Sequence, residues 1–171
     1  MSDKQILTTD QAPAYVFSQG IRIGNMLQIS GQGPTGPESN EYIGAGDVKA
    51  QTTRTLENVR AIVEAGNASL EDVLMLRVYL TKREDFAPMN EAYAEFVEKY
   101  VPAKQFPSRT TVFVGLPDEP MLVEIDAVAV VGTVSNPPQE PVERCRIGRR
   151  SHRATRSCWS ARPRCGGLRR P

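Results

Sequence analysis

The sequence predicts an α+β fold in the order β-β-α-β-α-β-β, a mixed sheet carrying two helices on one face. Three observations carry that expectation. Two short alternating runs flank Gly24-Asn25, as the strands of a tight hairpin do. Two longer segments repeat apolar residues at helical spacing. Three further stretches, opening near Val73, Ser108 and Met121, alternate with a period of two.

The hairpin comprises Ile21-Arg22-Ile23 and Met26-Leu27-Gln28-Ile29-Ser30, approached by an extended segment from Ala12 to Gly20. Gly31-Gln32-Gly33-Pro34-Thr35-Gly36 then matches G-x-G-x-x-G by letter. That motif holds a nucleotide only where it opens a helix, and here Pro34 and Pro37 forbid one, so a glycine loop is expected. Asp47 is the N-cap expected for a helix running to about Ala65, with Val48, Thr52, Leu56, Val59, Ile62 and Val63 on its apolar face and Gly66-Asn67 at its end. Ser69 to Asp72 reads as a capped turn, followed by a strand over Val73–Thr81 with Leu74, Leu76, Val78 and Leu80 on one face. Arg83-Glu84-Asp85 is expected to cap the second helix, whose Phe86, Met89, Tyr93, Phe96, Val97 and Tyr100 read as core. Val101-Pro102 closes it. Strands from Ser108 and from Met121 to Val131 complete the order. The last strand is apolar on both faces and two helices cover only one, so the second face is expected to pack in an oligomer.

Composition splits the chain. Residues 134–171 hold ten arginines and two acids, a net charge of +8, which leaves 11 basic and 18 acidic residues, net −7, in 1–133. All the histidine, cysteine and tryptophan (His152, Cys145, Cys158, Cys165, Trp159) lie in that tail. The body therefore has no material for a Cys or Ser–His nucleophile or for a His/Cys zinc site. No apolar run reaches membrane-spanning length, no secretory leader is evident, and a cysteine-free body needs no oxidising compartment, so a cytoplasmic protein is expected.

The chemistry left to such a body is that of charged side chains. Arg109 stands at the first rung of its strand, sharing a face with Thr111 and Phe113. A guanidinium beside apolar neighbours suits a small carboxylate, or else pairs with a carboxylate of its own chain. Glu124 and Asp126 lie two apart on one strand face among Leu and Val, where burial raises the proton affinity of at least one; they either work as a general base or acid, or pair with Arg109 or another basic residue. With Glu124 expected on the strand beside Arg109, the two would make a hydrolytic site for a substrate that is already reactive, such as an imine or enamine.

Several segments carry a family resemblance. They are Gly24-Asn25 leading to Ile29-Ser30-Gly31-Gln32, Leu56-Glu57-Asn58-Val59, Asn90-Glu91-Ala92-Tyr93-Ala94-Glu95-Phe96, Phe106-Pro107-Ser108-Arg109-Thr110 and Val123-Glu124-Ile125-Asp126-Ala127-Val128-Ala129. Over roughly residues 5–132 the chain resembles the RidA/YjgF family of enamine/imine deaminases, also labelled L-PSP endoribonucleases. The resemblance implies a RidA-like domain over 1–133 with a chorismate-mutase-like fold, and a homotrimer with a central barrel and sites at subunit interfaces. It implies hydrolysis of 2-aminoacrylate-like enamines, 2-iminopropanoate or 2-iminobutanoate, to 2-keto acids and ammonia. By position it makes Arg109 the grip on the substrate carboxylate and Glu124 the holder of the attacking water. Gly31 and the backbone amide at Thr111 then line the pocket, with Ser30 and Asn90 nearby. No metal or organic cofactor is implied.

Two residues depart from the family pattern. Phe17 stands where the family has tyrosine, removing a hydroxyl for which Tyr15 is poorly placed, and Thr111 stands for the family cysteine. Alternatives are a non-catalytic trimeric sensor of small carboxylates, or a pathway-specific relative acting on another imine. A protein acting on RNA ranks below both, since only the basic tail offers nucleic acid a surface. Pro137-Pro138 and the arginine-rich run mark 134–171 as an extension expected to be disordered and without recognised zinc spacing, as a frameshifted or read-through end would be.

Overall fold

Six strands and two helices follow in the order β1 (Lys4–Leu7), β2 (Gly20–Ile23), β3 (Met26–Gln32), α1 (Val48–Ala65), β4 (Val73–Leu80), α2 (Phe86–Tyr100), β5 (Ser108–Phe113) and β6 (Val123–Val130). They come from a computed structural model that describes residues 3–12, 16–37, 41–102 and 105–132. Tyr15 and the arginine-rich 134–171 lie outside the described residues.

The strands form one sheet ordered β1-β2-β3-β6-β4-β5. Every pairing is antiparallel except β4 with β5. That parallel pair needs a crossover, and α2 supplies it. Between β2 and β3 the two-residue turn places Gly24 at φ +60°, while Asn25 keeps a negative φ, as a type II′ hairpin turn requires. Asp47 caps α1 by accepting from the amides of Lys49 and Ala50.

One face of the sheet is dry. Leu27, Ile29, Leu76, Val78, Leu80, Val123 and Ile125 are buried against Leu56, Val59, Ile62 and Val63 of α1 and Met89, Phe96 and Val97 of α2. Each such side chain contributes roughly 1.5–3 kcal/mol on leaving water, which sets the register of every strand that carries one. The opposite face presents Gln28, Met75, Arg77, Tyr79, Glu124, Asp126, Val128 and Val130, all half-buried and covered by neither α1 nor α2.

The structure corrects four sequence expectations. Strand β1 was not expected; three of its four residues are exposed and only Leu7 reaches the core, so it carries almost no periodic signal. Leu74 leaves the dry face, because β4 shifts register between Val73 and Met75 and turns Leu74 outward. Asp85 precedes α2 in a helical conformation without a side-chain cap bond, so Arg83-Glu84-Asp85 forms a turn but no cap. Finally, β6 pairs with β3 and β4 and not with β5, so Glu124 does not stand on the strand beside Arg109.

Candidate active site

The residues nominated from sequence fall into two groups on opposite faces of the sheet. In register Arg109 is level with Leu76 and Ala127, on the helix-covered face. Glu124 is level with Tyr79, which is level with Val112, on the open face. Two strand spacings and three residues separate them, roughly 10 Å across and 10 Å along. Within one chain they do not meet.

The first group is built between α2 and the edge strand β5. Phe86 touches Phe113, with ring centroids 6.3 Å apart, and the Arg109 guanidinium lies 4.6 Å from the centroid of the Tyr93 ring. These two contacts bracket Asn90 and Thr111, which thus follow the same line along the helix and strand. The Oδ1 of Asn90, the hydroxyl of Tyr93 and the Oγ1 of Thr111 are all buried without a hydrogen-bond partner among the described residues. Such groups are costly to leave unmet, and native proteins pair them with water or ligand. No carboxylate among the described residues lies within ion-pair distance of Arg109. Stacking over a ring occupies the guanidinium's face and leaves its N–H edge for an anion. Beside it opens a cavity of about 210 Å³ lined by Tyr93, Ala94, Val97, Phe106, Pro107 and Arg109, among others.

Tyr93, expected in the core, packs against it and also carries the Arg109 guanidinium on its ring, a second role that helical spacing does not reveal. Burial raises its phenol above the ordinary range, with the Arg109 charge opposing.

The second group surrounds Glu124. Strand β3 carries one extra residue against β6 between Ile29 and Gln32, a β-bulge at Ser30-Gly31. The bulge returns Gln32 to the buried face, at 3% exposure, and brings the backbone of Gly31 against Glu124. A Cβ on Gly31 would lie 2.0 Å from Glu124 Oε1, so glycine there lets the carboxyl rest against the β3 backbone and any side chain would displace it. The hydroxyl of Ser30 donates to the carbonyl of Ser18 at 2.7 Å, and the Ser30 amide donates to that of Gln19 at 2.9 Å. Ser30 therefore holds in place the segment that carries Phe17.

A cavity of about 330 Å³ results, lined by Phe17, Gly31, Gly33, Tyr42, Pro117, Asp118, Met121 and Glu124. Tyr42 donates to Asp118 across its rim. Gln51 fastens the loops behind, donating to the carbonyls of Gly44 and Pro120 and accepting from the amide of Leu122. Burial, and then the charge of Asp126, raise the Glu124 carboxyl above the ordinary carboxylate range. A carboxyl so placed exchanges protons nearer neutrality than a solvated one. Asp126 does pair with a basic residue, but with Arg77 and not Arg109.

No group of three or more His, Cys, Asp or Glu able to hold a metal occurs among the described residues, and no helix among them is long and apolar enough to cross a membrane. The motif Gly31–Gly36 lies at the end of β3 and in a loop, with no helix before α1 among the described residues.

Comparison with known proteins identifies relatives of the chain. A family model described as Endoribonuclease L-PSP matches residues 8–131. A RutC family protein of Pyrococcus abyssi is 40% identical over 128 residues, covering 74% of this chain and 96% of the relative. The 2-iminobutanoate/2-iminopropanoate deaminase of Escherichia coli K12 is 36% identical over 126 residues, 72% of this chain and 95% of its own. Among solved structures, E. coli TdcF with bound serine superposes with a TM-score of 0.68 at 36% identity, over 74% of this chain and 98% of that one.

Proposed function

The chain belongs to the endoribonuclease L-PSP family, the RidA/YjgF proteins with a chorismate-mutase-like fold, and from that premise we propose that it is a hydrolytic deaminase of small enamines and imines. Its substrates are 2-aminoacrylate-like enamines and their imine tautomers, 2-iminopropanoate and 2-iminobutanoate, released as 2-keto acids and ammonia. The observation that carries this reading is Arg109, a guanidinium stacked on Tyr93 with no described carboxylate within ion-pair distance. It is available to hold the substrate carboxylate.

The separation of Arg109 and Glu124 supports a site made between copies of the chain, with Arg109, Asn90 and Thr111 from one and Glu124, Gly31 and Phe17 from the next. A homotrimer closes such a set of heterologous contacts. The uncovered sheet face, with Met26 and Leu74 about half exposed and Val112 beyond a third, is suited to that packing.

In the reaction Glu124, as carboxylate, takes a proton from a water whose oxygen bonds to the imine carbon, while the C=N π pair moves to nitrogen and is protonated. The protonated Glu124 then gives its proton to the carbinolamine nitrogen, the hydroxyl loses its own proton as the C=O bond forms, the C–N bond breaks, and ammonia leaves with the bonding pair. A substrate this electrophilic needs neither a covalent intermediate nor a strong nucleophile, in keeping with a body free of His and Cys. With Phe17 replacing a tyrosine, no hydroxyl from that position assists, and Glu124 carries the proton traffic alone.

The test is to generate 2-aminoacrylate with a dehydratase and follow keto-acid release. Acceleration that is lost in Arg109→Ala and in Glu124→Gln is expected. No acceleration, or full activity in Arg109→Ala, refutes the reading; keto-acid binding without turnover would favour a non-catalytic sensor.

A further inference from the structure

On the open face of the sheet, Glu124 has two hydrogen-bond donors within reach on β4. Tyr79 is its direct cross-strand partner, and Arg77, the direct partner of Asp126, lies on its diagonal. Diagonal neighbours about 7–8 Å apart at Cα are within range of long side chains. Both donors turn instead to Asp126. The Nε of Arg77 donates to Oδ1 at 2.7 Å and the hydroxyl of Tyr79 to Oδ2 at 2.9 Å, so each oxygen of Asp126 has one. Glu124, two residues away on the same face, has no hydrogen bond or ion pair with any described residue.

We propose that Asp126 is a positioning residue for Glu124: by holding Arg77 and Tyr79 to itself, it keeps the Glu124 carboxyl unpaired and facing its cavity. This rests on Glu124 being the proton-transfer group of the reaction above.

The physical consequence is large for a base. An arginine paired with Glu124 would hold it ionised, lower its proton affinity and turn its oxygens away from the cavity. The alternative partners are few. From β6 itself Asp126 faces Glu124, and from β4 Arg77 and Tyr79 do. Strand β3 offers only Gln28 and the Ser30-Gly31 bulge, and the cavity loops offer Tyr42 and Asp118, which bond each other. Arg77 is thus the cation that the register brings beside Glu124, and Asp126 is what diverts it. The Asp126 side chain is 13% exposed against 40% for Arg77, so the aspartate is the fixed end of the pair.

The experiment is the pH profile of kcat/KM for imine hydrolysis, above the uncatalysed rate, in single and double variants. Asp126→Asn removes the neighbouring negative charge and frees Arg77 for Glu124. Both changes move the acidic limb to lower pH, and the plateau falls about tenfold as the base weakens and turns. Arg77→Met leaves Asp126 uncompensated and moves the limb the other way, to higher pH. The double variant brings the limb back toward the wild-type position and recovers most of the plateau. Opposite shifts of this kind do not arise from damage to packing. A uniform loss of rate with an unmoved limb in both single variants overturns the proposal. Glu124→Gln run alongside separates the two layers: if it is fully active, the underlying reading fails, and if it is inactive while the limbs stay fixed, only the role of Asp126 fails.

Discussion

Arg109 and Glu124 project from opposite faces of one sheet, Arg109 from the edge strand β5 toward α2 and Glu124 from β6 toward the uncovered side. β4 runs between them. Arg109 has a stacked aromatic and an apolar cavity of about 210 Å³, and Glu124 has a larger one of about 330 Å³ walled by Gly31 and Phe17. Each half has what the other lacks: a cation for a carboxylate in one, and a carboxyl of raised proton affinity in the other.

Mixing two inactive variants tests whether the halves come from different copies. Arg109→Ala and Glu124→Gln are each expected to be inactive alone. Co-expressed in equal amounts, they form sites in which one copy supplies the arginine and the next the glutamate, restoring about a quarter of wild-type activity on random mixing. A site complete within one chain gives no restoration, since every chain carries one lesion. The measurement is the activity of the co-expressed variants against that of each variant expressed and purified alone.

Gly31→Ala tests the contact that aims Glu124. The added methyl would sit 2.0 Å from Oε1, inside any permitted separation, so the carboxyl must rotate away. A displacement of about 1 Å at a reacting group costs on the order of 100-fold in rate. The expected outcome is a kcat lower by about that factor with the circular dichroism spectrum retained, because the flexible end of a side chain gives way and not the backbone. Near-normal kcat would show that Glu124 is not held against β3 during turnover.

Much of this architecture is legible in the sequence. The hairpin at Gly24-Asn25, the Asp47 cap and the buried stripe of α1 follow from local rules, and the structure reproduces them. What the sequence hides is non-local. Strand order decides whether β6 lies beside β5, and no periodicity encodes it, so Arg109 and Glu124 look like neighbours when read as two strands of one sheet. The Ser30-Gly31 bulge is equally silent, since it exists only as a mismatch with β6. Tyr93 shows the same limit on a helix: its position in the stripe marks it as inward, but only the fold places Arg109 over its ring. The pairing of Asp126 with Arg77 depends on the β4–β6 register, which the bulge at Leu74 offsets by one residue.

Tyr93 should matter through its ring more than through its hydroxyl if it orients Arg109. A cation–π contact contributes about 0.5–2 kcal/mol, more when desolvated. Tyr93→Leu is expected to raise KM roughly 3- to 30-fold with a smaller change in kcat. Tyr93→Phe, which keeps the ring and removes a buried hydroxyl that no described residue satisfies, should stay within about threefold of wild type and fold at least as stably. Equal losses in both variants would assign the effect to the hydroxyl.

Glu124 should also be a liability to the fold, and pH exposes it. Its carboxyl is raised in the folded chain by burial and by Asp126, so between the ordinary carboxylate range and the raised value the folded state binds more protons than the unfolded. The stability this group contributes is fully present below the ordinary range and is lost as pH rises through the raised value. At neutral pH the native protein therefore holds a partly desolvated charge beside a second carboxylate. Glu124→Gln removes that charge and is expected to raise Tm at neutral and mildly alkaline pH. The gain should shrink as the pH falls through the raised value and vanish below the ordinary range. The comparison belongs in an Arg109→Ala background, where no guanidinium from a second copy offsets the charge. A Tm difference that is constant with pH would mean that the substitution acts through packing, and one of opposite sign would mean that Glu124 is stabilised as its anion.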